Sequence, residues 1–275
     1  MDAREIHRGE PGYPPRLASI EAAPPSVWVR GSWVPAARSV AVVGARAANQ
    51  ASIELAHAIG VALGGRQVDV ISGGALGIDA AAHRGALSVG GTTVAVLGNG
   101  IDVVYPHVHA ELFGQIQAHG ALLTQFPPGQ GPKPGQFPTR NKVIAGLAET
   151  VVVVQAASDS GSLHTARAAR AYGRTVVAVP GSPGTDLLLV QGALPAFSAE
   201  DCLAIVEGRP VAPPVLPVEP EARRVYDALD ATPRDVGDLA FRAGLGVGTC
   251  AAMVIDLELG GLAARSAGGR YVRLR

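Results

Sequence analysis

VDVISGGALGIDAAAHRGALSVGGTTVAVL, residues 68–97, runs from an apolar segment through a glycine turn and a helical pattern into a second apolar segment. A short Val/Ile run that stops at glycine and is followed by a helix pattern reads as one strand-helix-strand unit of a parallel sheet. Working outward, the alternation continues: VAVV (40–43) precedes it, and ALLT (121–124), VVVV (151–154) and VVAV (176–179) follow, with helical patterns between most of them. Each run ends at Gly, Ser, Thr, Gln or Pro, where the chain has to leave a sheet. The expected fold is therefore α/β: a Rossmann-like, doubly wound, mostly parallel sheet covered on both faces.

Open sheets of this kind collect ligands beyond the carboxyl ends of their strands. That places residues 44–46, 72–74, 98–100, 155–162 and 180–184 on one rim, the predicted site. One rim segment stands out. QFPPGQGPKPGQFPTRN (125–141) interrupts the alternation with five prolines and three glycines and runs into the basic triplet Arg140-Asn141-Lys142. A loop this long inside a compact domain is usually functional or disordered, and proline stiffness together with Phe126 and Phe137 favours a shaped surface. The expectation is a loop that presents Arg140 and Lys142 to an anion: a planar fork for phosphate, a point charge beside it, and Asn141 either capping the next helix or meeting the ligand. Phe137 either stacks on a base or braces the loop.

The chain has 275 residues, 48% of them hydrophobic, enough for one large core and a smaller second domain. Lys plus Arg and Asp plus Glu are balanced at 23 each, so net charge gives no support to a nonspecific polyanion binder. Between residues 130 and 180, however, six basic side chains face two acidic ones. Cys202 and Cys250 lie far apart without a metal-ligand pattern, which argues against a disulfide framework or a structural zinc. No run of 18 apolar residues occurs and MDAREIHRGEPGYPP lacks the apolar stretch of a signal peptide, so neither a membrane span nor export is expected and a cytoplasmic protein is.

Residues 1–38 read as a lead-in that packs Trp28 and Trp33 on a main domain at 39–206. EGRPVAPPVLPVEPE marks a proline-rich linker at 207–220. Beyond it, residues 221–275 read as three short helices and a terminal hairpin, the order of a winged-helix domain. The candidate recognition segment there, GTCAAMVIDLELGG, carries Asp256 and Glu258 and no base-reading Arg or Asn, which favours a protein-contact or regulatory role over duplex binding.

Familiar nucleotide signatures are missing. VAVVGAR lacks the second and third glycines of a dinucleotide fingerprint, and no P-loop motif occurs, so the glycine turns offer only backbone amides suited to phosphate groups in general. Asp79 and His83 fall one turn apart on one helix face; helix-end stabilisation by Asp79 and a local hydrogen bond to His83 account for them more simply than a metal. His107 and His109 are expected as surface histidines in a loop. Ser160, Gly161 and Ser162 precede a helix and are candidates for ligand contact, whereas Arg167, Arg170 and Arg174 form a stripe read mainly as a solvated face.

Taken together, VAVVGAR, SGGALGIDAAAHRGAL, TTVAVLGNGIDVVYP, GALLTQFPPG with FPTRNKVIAGL, and VVVVQAASDSGSLHTARAARAYGRTVVAVPGS resemble, in order, the DNA-processing protein A (DprA/Smf) family over residues 40–182. The resemblance implies an extended Rossmann-like fold with a winged helix, binding of single-stranded DNA, protection of incoming DNA, and loading of RecA recombinase in natural transformation. Carried onto this chain, it implies a DNA pocket of Gly44, Arg46, Ser72, Gly73, Arg140, Asn141, Lys142, Ser160, Gly161 and Ser162, with no required metal or nucleotide cofactor, and a homodimer formed through the Rossmann-like domain. Family members usually carry Leu-Ala-Arg where this chain has Gly74-Ala75-Leu76, which removes one positive charge. The alternative is an enzyme, a nucleoside-monophosphate phosphoribohydrolase of the lysine-decarboxylase-like group. Aligning SDSGSLHT with that group's motif puts Thr165 where its carboxylate belongs. A nuclease would need clustered carboxylates, and Asp79, Asp102 and Asp159 are scattered in sequence.

Overall fold

In the computed structural model of the chain, residues 2–211, 217, 219–230, 232–265 and 267–273 are described. Two compact units form: one holds the chain up to Val179 together with Pro183–Arg209, the other Pro180–Ser182 and the chain from Pro210 onward. Much of the linker expected at 207–220 (212–216 and 218), and the last two residues of the basic tail, lie outside the described residues.

All six Val-rich runs are strands: β3 (Ser39–Val43), β4 (Asp69–Ser72), β5 (Thr93–Val96), β6 (Ala121–Thr124), β7 (Thr150–Val153) and β8 (Thr175–Ala178). They pair in parallel in the order β6-β5-β4-β3-β7-β8. Strand periodicity sends alternate side chains to opposite faces. Ala41, Val43, Val151 and Val153 therefore meet α5 (Gln136–Leu147) and α6 (Ser162–Ala171), while Val40, Val42, Val152 and Val154 meet α2 (Gln50–Gly64), α3 (Ile78–Ser88) and α8 (Ala199–Glu207). On this second face Ala95, Leu97 and Leu122 pack against Phe113 and Ile116 of α4 (Ala110–His119). Both faces are covered, so the strands read as continuous apolar runs.

The N-terminal segment does more than pack on the sheet. It supplies β1 (Arg4–His7), the short α1 (Pro15–Ala18) and β2 (Ser26–Gly31), and β2 runs antiparallel to β6, extending the sheet by two strands. Trp33 donates from Nε1 to the buried Asp69 carboxylate at 2.8 Å, and the Ala36 amide does the same, so the segment between β2 and β3 is tied to the start of β4. At the other edge, α7 (Pro183–Val190) leads to the two-residue β9 (Leu194–Pro195), giving this sheet nine strands among the described residues.

The second unit contains α9 (Pro220–Ala228), α10 (Val236–Ala243) and α11 (Val247–Leu259), then the antiparallel pair β10 (Ala263–Arg265) and β11 (Tyr271–Arg273). Val225, Leu229, Leu239, Cys250, Val254 and Leu257 form its separate core. Three helices followed by a wing is the winged-helix arrangement expected from the sequence. No single helix among the described residues is long and apolar enough to cross a membrane.

Candidate functional site

Strand order reverses between β3 and β7, and the crevice beyond their carboxyl ends is the switch point where open α/β sheets bind ligands. A pocket of about 360 Å³ opens there. It is lined by Gly44 and Arg46 after β3, Ala75 and Asp79 around the start of α3, Phe137, Pro138, Arg140, Asn141 and Ile144 of α5, and Ser160, Gly161, Ser162, His164 and Thr165 after β7. Eight of the residues singled out from the sequence thus share one cavity: Gly44, Arg46, Phe137, Arg140, Asn141, Ser160, Gly161 and Ser162.

The geometry changes the role of the long loop. Helix α5 begins at Gln136, so only the stretch before it is loop, and Phe137 through Lys142 sit on helical backbone. Pro138 does not forbid this, because amides in a first helical turn have no intrahelical acceptor to lose. Arg140 is consequently not presented outward. Only 5% of it is exposed; Nη1 donates to the Gly73 carbonyl at 2.6 Å and the Val96 carbonyl at 2.7 Å, and Nε donates to Asn141 Oδ1 at 3.0 Å. Among the described residues no acceptor reaches its Nη2, and the side chain borders the pocket.

Asp79 balances this buried charge. Its Oδ2 accepts the Gly73 and Ala75 amides at 3.1 and 3.3 Å. Burial raises its pKa, an effect that the nearby Arg140 guanidinium opposes. Burial in turn brings Arg140 down to about 10, Asp79 pulling it up and Arg46 pushing it further down. Gly73 lies between the two: a Cβ on it would stand 2.5 Å from Arg140 Nη1 and 2.7 Å from Asp79 Oδ2. From the sequence, a helix-end role for Asp79 is favoured over a metal or acid/base pair with His83. The available signal was its setting, a carboxylate among Ile78, Ala80, Ala81 and Ala82 with only His83 for polar company, which demands a partner.

Phe137 stands at the mouth. Its ring packs over Gly98, where any Cβ would come within 2.8 Å of it, and Tyr105 lies 5.9 Å away. The exposed Arg46 places its guanidinium carbon 5.2 Å from the ring centroid on this aromatic platform. Phe137 braces the site and remains half-exposed, so bracing does not use up the whole ring. A smaller cavity of about 50 Å³ adjoins it, lined by Arg46, Gly73, Leu76, Asn99, Tyr105 and Phe137 among others.

Other expected residues lie elsewhere or act differently. Lys142 is exposed on α5 but does not line the pocket. Ser72 is buried and donates to the Val42 carbonyl at 2.6 Å, joining two strand ends. Asn141, expected to cap the following helix or meet a ligand, lies inside α5 and donates to the Gly161 carbonyl at 3.0 Å, fixing the turn before α6. Ser160 and Ser162 bond each other at 2.8 Å, and Ser160 Oγ also accepts the Ser162 amide at the start of α6 at 3.4 Å. His109 departs from the surface reading: it is buried and its Nδ1 sits 3.0 Å from the Gly74 carbonyl. His83 is buried too, with Nδ1 2.7 Å from Thr93 Oγ1 and its pKa pushed down to about 3, first by desolvation and then by His109, Arg140 and Arg84. Arg170 donates to Gln191 and the Leu188 carbonyl, and Arg174 to Ser19 and the Arg16 carbonyl, so two of the stripe arginines serve packing. Among the described residues no group of three His, Cys, Asp or Glu is placed to hold a metal ion.

Chemically, the pocket offers donors, one buried carboxylate and an aromatic plane beside an exposed guanidinium. Residues 4–207 match the family model described as DNA recombination-mediator protein A, and residues 209–269 that of the DprA winged helix domain. A putative DNA processing protein DprA of Mycobacterium tuberculosis is 42% identical over 245 residues, covering 83% of this chain; the match spans 62% of the mycobacterial protein. The crystal structure of DNA processing protein A from Streptococcus pneumoniae is 35% identical with a TM-score of 0.68, covering 73% of each chain. DNA processing protein A from Helicobacter pylori, described for its single-stranded DNA binding mode, shares the fold at 24% identity and a TM-score of 0.68, over 75% of this chain and 96% of that one. With the first of the two family models covering most of its length, the chain belongs to the DNA recombination-mediator protein A family.

Proposed function

We propose that the pocket binds single-stranded DNA, and that the chain is a nonenzymatic mediator that protects such DNA and delivers it to RecA recombinase in transformation and recombination. The observation that carries this reading is the exposed Arg46 guanidinium over the half-exposed Phe137 ring at the sheet's switch point, with the buried Arg140 behind it. A cation beside an aromatic plane suits a strand whose bases are unstacked, because every base has a face to stack and every nucleotide a phosphate. Arg46 and Lys142 take phosphates, and Phe137 takes a base. The uncrowded backbone at Gly161, beside Ser160, allows close approach; Gly44, where a Cβ would come within 2.7 Å of Ile78, joins Ser72, Gly73, Arg140, Asn141 and Ser162 in holding the shape, with Arg140 Nη2 free to donate. The mediator works in the cytoplasm as a homodimer through its Rossmann-like unit.

Fluorescence anisotropy with a labelled oligothymidylate and a duplex of equal length tests this directly. Single strands are expected to bind more tightly, and Arg46→Ala with Lys142→Ala to weaken binding at least tenfold while the circular dichroism spectrum is unchanged. Unaltered affinity in that double variant rules the assignment out. Recombinase loading is read separately, as acceleration of RecA filament formation on single strands by the wild-type chain. One observation favours an enzyme instead, the Asp79 carboxylate at the pocket. It is, however, engaged by two backbone amides, and Thr165 holds the position where the phosphoribohydrolase motif has its carboxylate. Incubation with AMP is expected to release no adenine; release would replace the binding-only reading.

A further inference from the structure

Asn99 occupies the bend after β5 and is only 1% exposed. Its Nδ2 donates to the Gly100 carbonyl at 3.0 Å and the Val103 carbonyl at 2.7 Å. A carbonyl can only accept, so these two bonds fix which end of the amide is nitrogen and leave Oδ1 at the other end. Among the described residues nothing donates to Oδ1, and the atom is not one of the unpartnered polar atoms sealed off from solvent. It is the open end of a side chain that lines the small cavity beside Phe137. The bend itself is held in place: the Asn99 carbonyl accepts from Thr124 Oγ1 at 2.8 Å, and the Gly100 amide donates to the Gln130 carbonyl at 2.7 Å. Oδ1 is a fixed acceptor in a nearly closed place, where going without a donor costs free energy.

The walls decide which donor suits it. Arg46 and Arg140 line the same cavity and no carboxylate does, so an ammonium group or a metal cation is disfavoured and a neutral N–H remains. Tyr105 and Phe137, with ring centroids 5.9 Å apart, form an aromatic wall, and Leu76 and Pro106 add apolar surface. That surface suits a flat ring. At about 50 Å³ the cavity has room for the edge of such a ring and not the whole of it, so the body of the ring stays at the mouth against Phe137. A neutral N–H on the edge of a flat ring is what the Watson–Crick edge of a nucleobase offers: the imino N–H of thymine or guanine, or the amino group of adenine or cytosine. In a duplex that edge is already spent on the opposite strand.

Resting on the single-strand reading above, we propose that Asn99 Oδ1 accepts a hydrogen bond from the Watson–Crick edge of the base that stacks on Phe137. Asn99 is then the residue that requires this base to be unpaired. Anisotropy compares an oligothymidylate of about six nucleotides, the scale of one single-strand site, with the same oligomer built from N3-methylthymidine. The methyl group removes the N–H donor and leaves the phosphates and the faces of the bases in place. The full-length wild-type chain is expected to bind the methylated oligomer at least tenfold more weakly, because an acceptor built to be paired is left without its donor. Asn99→Ala, with an unchanged circular dichroism spectrum, is expected to bind the two oligomers within about threefold of each other, since it removes the acceptor and makes room for the methyl group. Arg46→Ala with Lys142→Ala is expected to weaken both oligomers alike and to keep their ratio. Equal binding of the two oligomers by the wild-type chain, a comparison that needs no variant to fold, overturns the proposal, as does a tenfold preference kept by Asn99→Ala. Either result leaves the single-strand reading standing as long as the Arg46 and Lys142 double variant still binds weakly.

Discussion

Arg140 shows what a single residue conceals in sequence. The triplet Arg140-Asn141-Lys142 marks the site correctly as a place, because its basic residues follow an unusual loop at a strand end, but exposure is reversed between neighbours: Arg140 is buried and Lys142 is out. Helical backbone turns each successive side chain by about 100°, so residues two apart, as Arg140 and Lys142 are, point to nearly opposite sides of α5. The acceptors that hold Arg140, the carbonyls of Gly73 and Val96, come from two other strand ends and leave no trace near it in sequence. Gly73 is the residue on which this arrangement turns. Gly73→Ala pushes a methyl into the Arg140 and Asp79 heads, both of which are packed and bonded, so the guanidinium must give up its place. The expected cost is about 1–3 kcal/mol of stability, the usual range for overpacking, with single-strand affinity falling more than tenfold. Urea unfolding and anisotropy measure the two effects; an alanine variant with wild-type affinity would show that Arg140 need not be held there.

At the scale of elements, the six inner strands were legible because both their faces are buried, which forces unbroken apolar runs. β1 and β2 were not: REIH and SVWVRG bury only alternate residues, and they join the sheet antiparallel through a partner, β6, that lies far along the chain. Helix α3 illustrates a different limit. Its amphipathic pattern predicts a helix, yet Asp79 and His83 are buried on it, and they titrate in opposite senses. The raised pKa of Asp79 favours the folded state at low pH. His83 works the other way: with its folded pKa near 3 and an ordinary value of 6.5 once unfolded, the unfolded chain binds the extra proton between these values. Its contribution is therefore intact above 6.5 and is lost progressively as pH falls toward 3. His83→Asn keeps a polar atom where Nδ1 meets Thr93 and removes this proton uptake. Between pH 7 and 5 the wild-type Rossmann-like unit is expected to lose about 2 kcal/mol more than the variant, at 1.36 kcal/mol per unit. Parallel losses in urea titrations at the two pH values would mean that His83 is not kept neutral by the fold.

For the whole molecule, balance of charge decides how binding should respond to salt. The first 209 residues and the remaining 66 are each balanced between Lys plus Arg and Asp plus Glu, so neither unit attracts DNA by net charge. Affinity has to come from the few cations around the pocket, and among the described residues Arg46, Lys142 and the free edge of Arg140 are the ones offered to phosphates. Each phosphate neutralised on a single strand contributes about −0.7 to the slope of log K against log salt concentration, so three give about −2. The pocket is built wholly from the first unit, which has its own core on both sheet faces. A chain ending at Arg209 is therefore expected to bind a short single strand, long enough for one pocket, within threefold of the full-length affinity and with the same slope. Anisotropy titrations from 50 to 300 mM NaCl decide it. A slope of −5 or steeper, or one that flattens when the second unit is removed, would place most of the phosphate contacts outside the pocket and shift the DNA path toward the wing arginines Arg265, Arg270 and Arg273.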